Sequence, residues 1–167
     1  MKSEKDTPYQ IPAQVGEKQH TTENKKQYFD RSQDSKVLVC EVSTVSLERM
    51  KEVIEIAEAD KSNWRKTALA ERNVLLHKTA EILANKRGDL IGVMAAVTGK
   101  TFNEGDVEVS EAIDFCRFYP YSMKKFEELK TVKNSPKGII LVIPPWNFPT
   151  AIPVDGVVAG LASGNTV

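Results

Sequence analysis

The residues best suited to chemistry lie in a short turn at 144–149 that directly follows an apolar run at 138–143. That run lacks the alternation of a strand with one wet face, so it favours a strand covered on both faces, as in a parallel sheet. Open α/β sheets bind ligands just beyond the carboxyl ends of such strands. We therefore expect Asn147 to lie at a ligand-binding edge, sheltered from bulk solvent, with a side-chain amide that donates hydrogen bonds.

Prolines on both sides of Asn147 make this turn rigid. Pro145 fixes its own φ angle, and Pro149 restricts Phe148 to extended conformations. The alternative interpretation gives Asn147 and Trp146 purely structural roles. Because asparagine is a common helix cap and tryptophan is mostly buried, Asn147 would cap the following helix and Trp146 would fill the core. Residue types alone leave both interpretations open.

The elements around the turn predict one βαβ unit of a parallel sheet. Strand 138–143 leads through the turn into a helix over 150–162, and a Gly-Asn break precedes a second strand that begins at Thr166. Three glycines in and after this helix stand four residues apart: Gly156, Gly160 and Gly164. Because this spacing does not fit a Gly-x-Gly-x-x-Gly phosphate loop, we expect them to permit close packing of the helix on the sheet.

The residues upstream of this unit change from an extended pattern to a helical one. Residues 1–35 are polar and turn-rich, which predicts an extended arm with one or two short strands, and 37–45 alternates as a strand does. Helical periodicity then predicts four helices, the first beginning at the N-cap Ser46 and the others over 67–87, 89–97 and 103–129.

Single residues predict how these helices begin, end and pack. Thr67 is the expected N-cap of the second helix, and glycines are expected to end the second and third, at Gly88 and Gly99. Pro120 is expected to kink the fourth. The first helix is expected to bury one stripe: Leu47, Met50, Val53 or Ile54, and Ala57.

Composition narrows the function classes. The 167 residues carry 23 basic and 23 acidic side chains, so no net charge attracts nucleic acid or anionic lipid, and we expect neither as a partner. The first six residues lack the apolar core of a secretory signal, and no run approaches the ~18 apolar residues of a membrane span. We therefore expect a cytoplasmic protein.

The cysteines and histidines offer little chemistry of their own. Cys40 and Cys116 are too few for a disulfide framework or a metal site, and neither has a neighbour that lowers a thiol pKa, so we expect two buried small side chains. His20 and His77 have no second ligand at metal spacing, so no metal is expected.

Motifs along most of the chain resemble the aldehyde dehydrogenase superfamily. They are Pro145 to Pro149, a helical stretch, and then Gly164, Asn165, Thr166 and Val167, with Trp64, Glu71, Arg72, Gly99, Lys100 and the run 108–115 upstream. Within that superfamily, the segment from Glu111 to Tyr119 followed by the Pro-Trp-Asn turn is most similar to pyrroline-5-carboxylate dehydrogenases, including those fused to proline dehydrogenase.

The resemblance implies oxidation of an aldehyde to an acid with NAD or NADP. It implies that Asn147 stabilises the oxyanion intermediate, and that Phe148 helps to form the wall of the aldehyde pocket. The backbone of Ile143, Pro144, Pro145 and Trp146 is then expected to contact the nicotinamide half of the cofactor. Pro144 departs from the family pattern, in which serine or another small residue is usual, and removes one N–H group.

The resemblance also implies a fold and the share of a whole family member that this chain represents. It implies an α/β chain in which 36–167 form the amino-terminal part of an NAD(P)-binding domain with a Rossmann-like sheet. Members are several times longer, form homo-oligomers, and carry their nucleophilic cysteine and general-base glutamate far downstream, so we expect an inactive fragment of an enzyme that makes glutamate from glutamate semialdehyde. Two alternatives stay open: another semialdehyde or aromatic aldehyde as substrate, or a non-catalytic binding or oligomerising module.

Overall fold

A computed structural model describes residues 8–32 and 37–167. Short strands come first: β1 (Tyr9–Ile11), β2 (Ala13–Val15), β3 (Lys18–His20), β4 (Lys25–Phe29) and β5 (Leu38–Ser43). Helices follow: α1 (Leu47–Ala59), a 3-10 turn (Trp64–Lys66), α2 (Leu69–Asn85), α3 (Arg87–Thr98), α4 (Phe102–Glu127) and α5 (Ala151–Ala162). This order confirms a mixed α/β chain with four helices ahead of the turn.

The described part of the arm contains more strands than the sequence predicted. Within 8–32 it contains four strands rather than one or two, and β5 joins β1 in parallel and β4 in antiparallel pairing. Glu41 on β5 accepts side-chain hydrogen bonds from Gln10 on β1 and Gln27 on β4. The prediction failed because these pairs are polar and leave no apolar alternation. Residues 1–7 and 33–36, which include the start expected to lack a secretory signal, lie outside the described ranges.

Helix ends follow the sequence in part. Ser46 caps α1, and Gly99 ends α3 with a φ of 75°. Thr67, however, closes the 3-10 turn, so α2 begins after Ala68. Gly88 does not end α2 but lies in the first turn of α3, because Lys86 alone separates the two helices.

Helix α4 is the longest in the described part of the chain, with 26 residues. Thr101 and Glu104 form a capping box at its start, where each bonds the backbone N–H of the other. Pro120 is buried inside the helix, and the expected kink stays a prediction.

The core lies where α2, α3 and α5 pack around α4. Its buried side chains are Leu76, Ala80, Met94, Val109, Ile113, Cys116, Val158 and Ala162. Helix α1 lies outside this core and buries none of its residues. The predicted inner stripe of α1 is therefore wrong: Leu47, Met50, Val53 and Ile54 are exposed, and Ala57 is only half-buried. Periodicity identifies an apolar face but not the element that covers it.

Candidate active site

The segment at 138–143 pairs in parallel but does not form a regular strand. Ile139 makes an isolated parallel bridge with Thr166, where the Ile140 N–H donates to the Thr166 carbonyl at 2.9 Å and the Thr166 N–H donates to the Gly138 carbonyl at 3.0 Å. The direction is that of the predicted βαβ unit. The segment does not form the predicted strand, because a β-ladder needs an extended neighbouring segment. Among the described residues only the short segment at Thr166 supplies one.

Only one face of this segment is covered. Ile140 and Val142 are half-buried towards α5, whereas Ile139, Leu141 and Ile143 alternate with them and are exposed, Leu141 at 80% and Ile143 at 81%. The prediction of a strand covered on both faces is therefore wrong for this chain, because no element in the described ranges packs on the outer face.

Two glycines set the distance between α5 and the segment. A Cβ at Gly156 would lie 2.8 Å from Cγ1 of Val142, and one at Gly160 would lie 2.7 Å from Cγ2 of Val167. Real Cβ atoms do not approach so closely, so only glycine permits this separation. The predicted packing role of these glycines is confirmed.

The turn that carries Asn147 is open to solvent. Pro144, Pro145 and Asn147 are exposed, and Trp146 is 72% exposed. The structural alternative fails, because Trp146 fills no core and the N-cap position of α5 is Thr150, three residues beyond Asn147. The expected shelter is also wrong: Asn147 is exposed, and no group within 8–32 and 37–167 hydrogen-bonds to its amide.

Two cations lie against the aromatic side chains on either side of Asn147. The Arg31 guanidinium lies 5.9 Å from the Trp146 ring centroid, and the Lys100 ammonium lies 4.0 Å from that of Phe148. Both distances are in the range of cation–π contacts. Sequence reasoning missed them, since Arg31 belongs to the arm and Lys100 to the junction between α3 and α4.

A buried carboxylate supports the end of the turn. Oε1 of Glu108 accepts hydrogen bonds from the backbone N–H of Thr150 at 2.7 Å and of Ala151 at 3.0 Å, and Oε2 forms an ion pair with Lys100. Glu108 was missed, although a signal existed: helical spacing places it on the same face as Gly105 and Ala112, both buried. A carboxylate on an apolar face needs partners.

Further bonds tie α5 to the rest of the chain. Tyr119 on α4 donates to the Asp155 carboxylate on α5, and Trp64 Nε1 donates to the Leu161 carbonyl at 3.1 Å. Burial, with the hydrogen bond and negative charge of Asp155, raises the pKa of Tyr119 to about 12. The helix that begins after the turn is therefore anchored at its start, middle and end.

Neither cysteine has the exposure or the lowered thiol pKa of an activated nucleophile. Cys40 and Cys116 are both buried, as predicted, and burial raises the pKa of each thiol, with Arg117 opposing the effect at Cys116. Across the described ranges no three His, Cys, Asp or Glu side chains gather into a possible metal site, and none of the helices described has the length and apolar character to cross a membrane.

Comparisons with known proteins point to one family. The sequence profile of the aldehyde dehydrogenase family matches residues 20–167. The 1-pyrroline-5-carboxylate dehydrogenase of Bacillus mycoides is 31% identical over 166 residues, which cover 93% of this chain and 32% of that protein. The chain thus spans about a third of the length of this relative.

Solved structures show the same fold. Proline utilization A from Bdellovibrio bacteriovorus superposes with a TM-score of 0.88 and 26% identity, over 96% of this chain and 18% of that one. The 1-pyrroline-5-carboxylate dehydrogenase from Thermus with bound NAD superposes with a TM-score of 0.86 and 24% identity, over 95% of this chain and 33% of that one. At that identity the Thermus protein supports the fold alone.

Proposed function

Because the chain belongs to the aldehyde dehydrogenase family, we propose that it supplies the amino-terminal part of an NAD(P)-dependent enzyme that oxidises an aldehyde to a carboxylate. Residues 1–35 are the arm and 36–167 the start of the cofactor-binding domain. The observation that carries the proposal is Asn147: an exposed amide without a partner in the described chain, on the turn after a segment that pairs in parallel at Ile139. The end of that turn is bonded to the buried Glu108.

In this reaction a thiolate adds to the aldehyde carbonyl, and negative charge develops on its oxygen. Asn147 donates to that oxygen, and its amide carries no proton that is lost near neutral pH. A preorganised donor of this kind typically contributes about 10²–10³ in rate. Phe148 stands next to Asn147 and forms part of the aldehyde pocket. The thiolate belongs to a residue other than Cys40 and Cys116, which are buried and have raised pKa values.

The turn presents four exposed residues that suit the nicotinamide end of the cofactor: Ile143, Pro144, Pro145 and Trp146. Pro144 and Pro145 have no N–H, so the backbone there presents carbonyl acceptors, which match the N–H₂ donor of a carboxamide. NAD or NADP would supply the hydride acceptor when bound. The chain's own part is to orient the carboxamide and to keep Asn147 beside the reacting carbonyl.

Glutamate semialdehyde, in equilibrium with pyrroline-5-carboxylate, is the proposed substrate and glutamate the product. The Bacillus mycoides relative supports this choice by its name and by its 31% identity over 93% of the chain. We propose that the complete enzyme is a cytoplasmic homo-oligomer and that the 167 residues alone do not oxidise aldehydes.

A chimera tests the proposal. Residues 1–167 are joined to the part of the Bacillus mycoides protein that follows its matched segment, and NADH and NADPH formation are followed with pyrroline-5-carboxylate, succinate semialdehyde and benzaldehyde. We expect pyrroline-5-carboxylate to give the highest kcat/KM and the unjoined chain to give none. A folded chimera without activity on any of the three aldehydes contradicts the proposal. A higher kcat/KM for succinate semialdehyde or benzaldehyde contradicts the proposed substrate and identifies that aldehyde instead.

A further inference from the structure

Glu108 is the most buried charged residue of the described chain, with 1% of its side chain exposed, and none of the chemistry proposed above uses it. Burying a carboxylate costs free energy unless hydrogen bonds and an opposite charge compensate. Here both are present, and they connect three separate parts of the chain: α4, the junction before it and the first residues of α5.

Helix α5 does not cap its own N-terminus. The Thr150 side chain makes no capping bond, because its hydroxyl lies 3.4 Å from the Met94 sulfur, and the first turn of α5 contains no acidic residue. Glu108 supplies both missing parts from another helix: an acceptor for the N–H groups of Thr150 and Ala151, and a negative charge at the positive end of the helix dipole.

Lys100 connects this cap to the residue beside Asn147. Its ammonium pairs with Oε2 of Glu108 and lies 4.0 Å from the Phe148 ring centroid. The backbone around Lys100 is itself fixed, since Gly99 ends α3 with a φ of 75° and Thr101 caps α4. The bonds at Thr150 and the cation at Phe148 therefore restrain the chain directly after Asn147.

We propose that Glu108 and Lys100 are a positioning pair that sets the orientation of the Asn147 amide towards the reacting carbonyl. The inference rests on the proposed function for its consequence in catalysis, whereas its structural part stands alone. A displacement of about 1 Å at a reacting group can cost about 10²-fold in rate. The pair therefore affects turnover more than substrate affinity.

The first test measures kcat and KM in the chimera for Glu108→Ala and for the double variant Lys100→Met/Glu108→Gln. The double variant keeps an oxygen acceptor for the two N–H groups and buries no lone charge. We expect Glu108→Ala to lower kcat by about 10²-fold with KM changed by no more than about threefold. The double variant is expected to recover only part of that loss, because it restores the acceptor but lacks the cation at Phe148. The control is Asp114→Asn, on the exposed side of α4.

The second test uses the 167-residue chain and needs no activity. Hydrogen exchange is measured by NMR at the Thr150 and Ala151 amides, together with the side-chain amide signals of Asn147. Since hydrogen bonds to a charged group contribute about 1.5–3 kcal/mol, Glu108→Ala is expected to speed exchange at both amides by about tenfold or more and to shift the Asn147 signals. Amides of Leu76 and Ala80 in the core are expected to stay unchanged.

The outcomes separate the two proposals. A folded but inactive parent chimera overturns the proposed function. The exchange measurement then tests whether Glu108 and Lys100 position Asn147. Faster exchange spread evenly over the core, or unchanged Asn147 signals, shows a general stabilising role and overturns the pair. In an active chimera, a kcat for Glu108→Ala within about threefold of the parent, or a loss confined to KM, overturns it as well.

Discussion

Val142 lies against Gly156 so closely that a Cβ at the glycine would stand 2.8 Å from its Cγ1. Together with Gly160 beneath Ile140 and Val167, this contact sets how near α5 lies to the segment that precedes the turn. The spacing of glycines in α5 is therefore a packing device, and the position of Asn147 depends on it through the six residues at 142–147.

Replacing Gly156 by alanine is expected to destabilise the chain by about 1–3 kcal/mol, because the added methyl group forces α5 and Val142 apart. Urea unfolding followed by circular dichroism measures the change. The matched control is Gly92→Ala in α3, where a Cβ meets nothing within 4 Å. That variant is expected to stabilise by about 0.5–1 kcal/mol through helix propensity. Equal effects of the two substitutions contradict the packing argument.

Features that depend on a few neighbouring residues could be predicted from the sequence. Ser46 caps α1 because its side chain reaches the N–H of Arg49, and Gly99 ends α3 because a left-handed φ suits glycine. The parallel bridge between Ile139 and Thr166 follows from an apolar segment, a helix and a return. In each case the residues that determine the feature belong to the same sequence pattern that predicts it.

Features that depend on distant partners could not be predicted. The cap of α5 comes from Glu108, 42 residues before Thr150, so no local sequence pattern predicts it. The exposed stripe of α1 and the open face of 138–143 are apolar in sequence, but sequence periodicity does not tell which element covers a face. The motif at 144–149 identifies the turn that carries Asn147. No sequence pattern identifies Glu108, Lys100 and Arg31 as the side chains that contact the turn and the adjoining Thr150.

The Tyr119–Asp155 bond gives stability that depends on pH. The pKa of Tyr119 is raised from 10.0 to about 12, so the folded state favours the neutral phenol. This contribution is complete below about pH 10 and is lost as the pH rises through about 12. Tyr119→Phe is expected to lower the free energy of unfolding at pH 7 by about 1–2 kcal/mol and to weaken its decline between pH 9 and 12.

Urea unfolding at a series of pH values checks this prediction. Tyr121→Phe is the control, since Tyr121 lies two residues further along α4 and is exposed. It is expected to change the free energy of unfolding at pH 7 by no more than about 0.5 kcal/mol. The same alkaline decline in Tyr119→Phe as in the parent chain would show that the bond does not carry this pH dependence.

The open face of 138–143 is expected to make the 167-residue chain self-associate. Leu141 and Ile143 present exposed apolar surface on a segment with few backbone partners, and such edges recruit other chains. Leu141→Lys places a charge on that face and is expected to shift the chain towards monomer in sedimentation velocity. Val74→Lys, on an exposed position of α2, is the control and is expected to leave association unchanged. A parent chain that stays monomeric at high concentration contradicts this account.

The most direct test of the account is the turnover of Asn147→Ala in the chimera with pyrroline-5-carboxylate. We expect kcat to fall by about 10²–10³-fold, because the developing oxyanion loses a preorganised donor, and NADH formation by Asn103→Ala, on the exposed start of α4, to match the parent. If Asn147→Ala turns over within about threefold of the parent enzyme, Asn147 is not the oxyanion donor and the central claim is wrong.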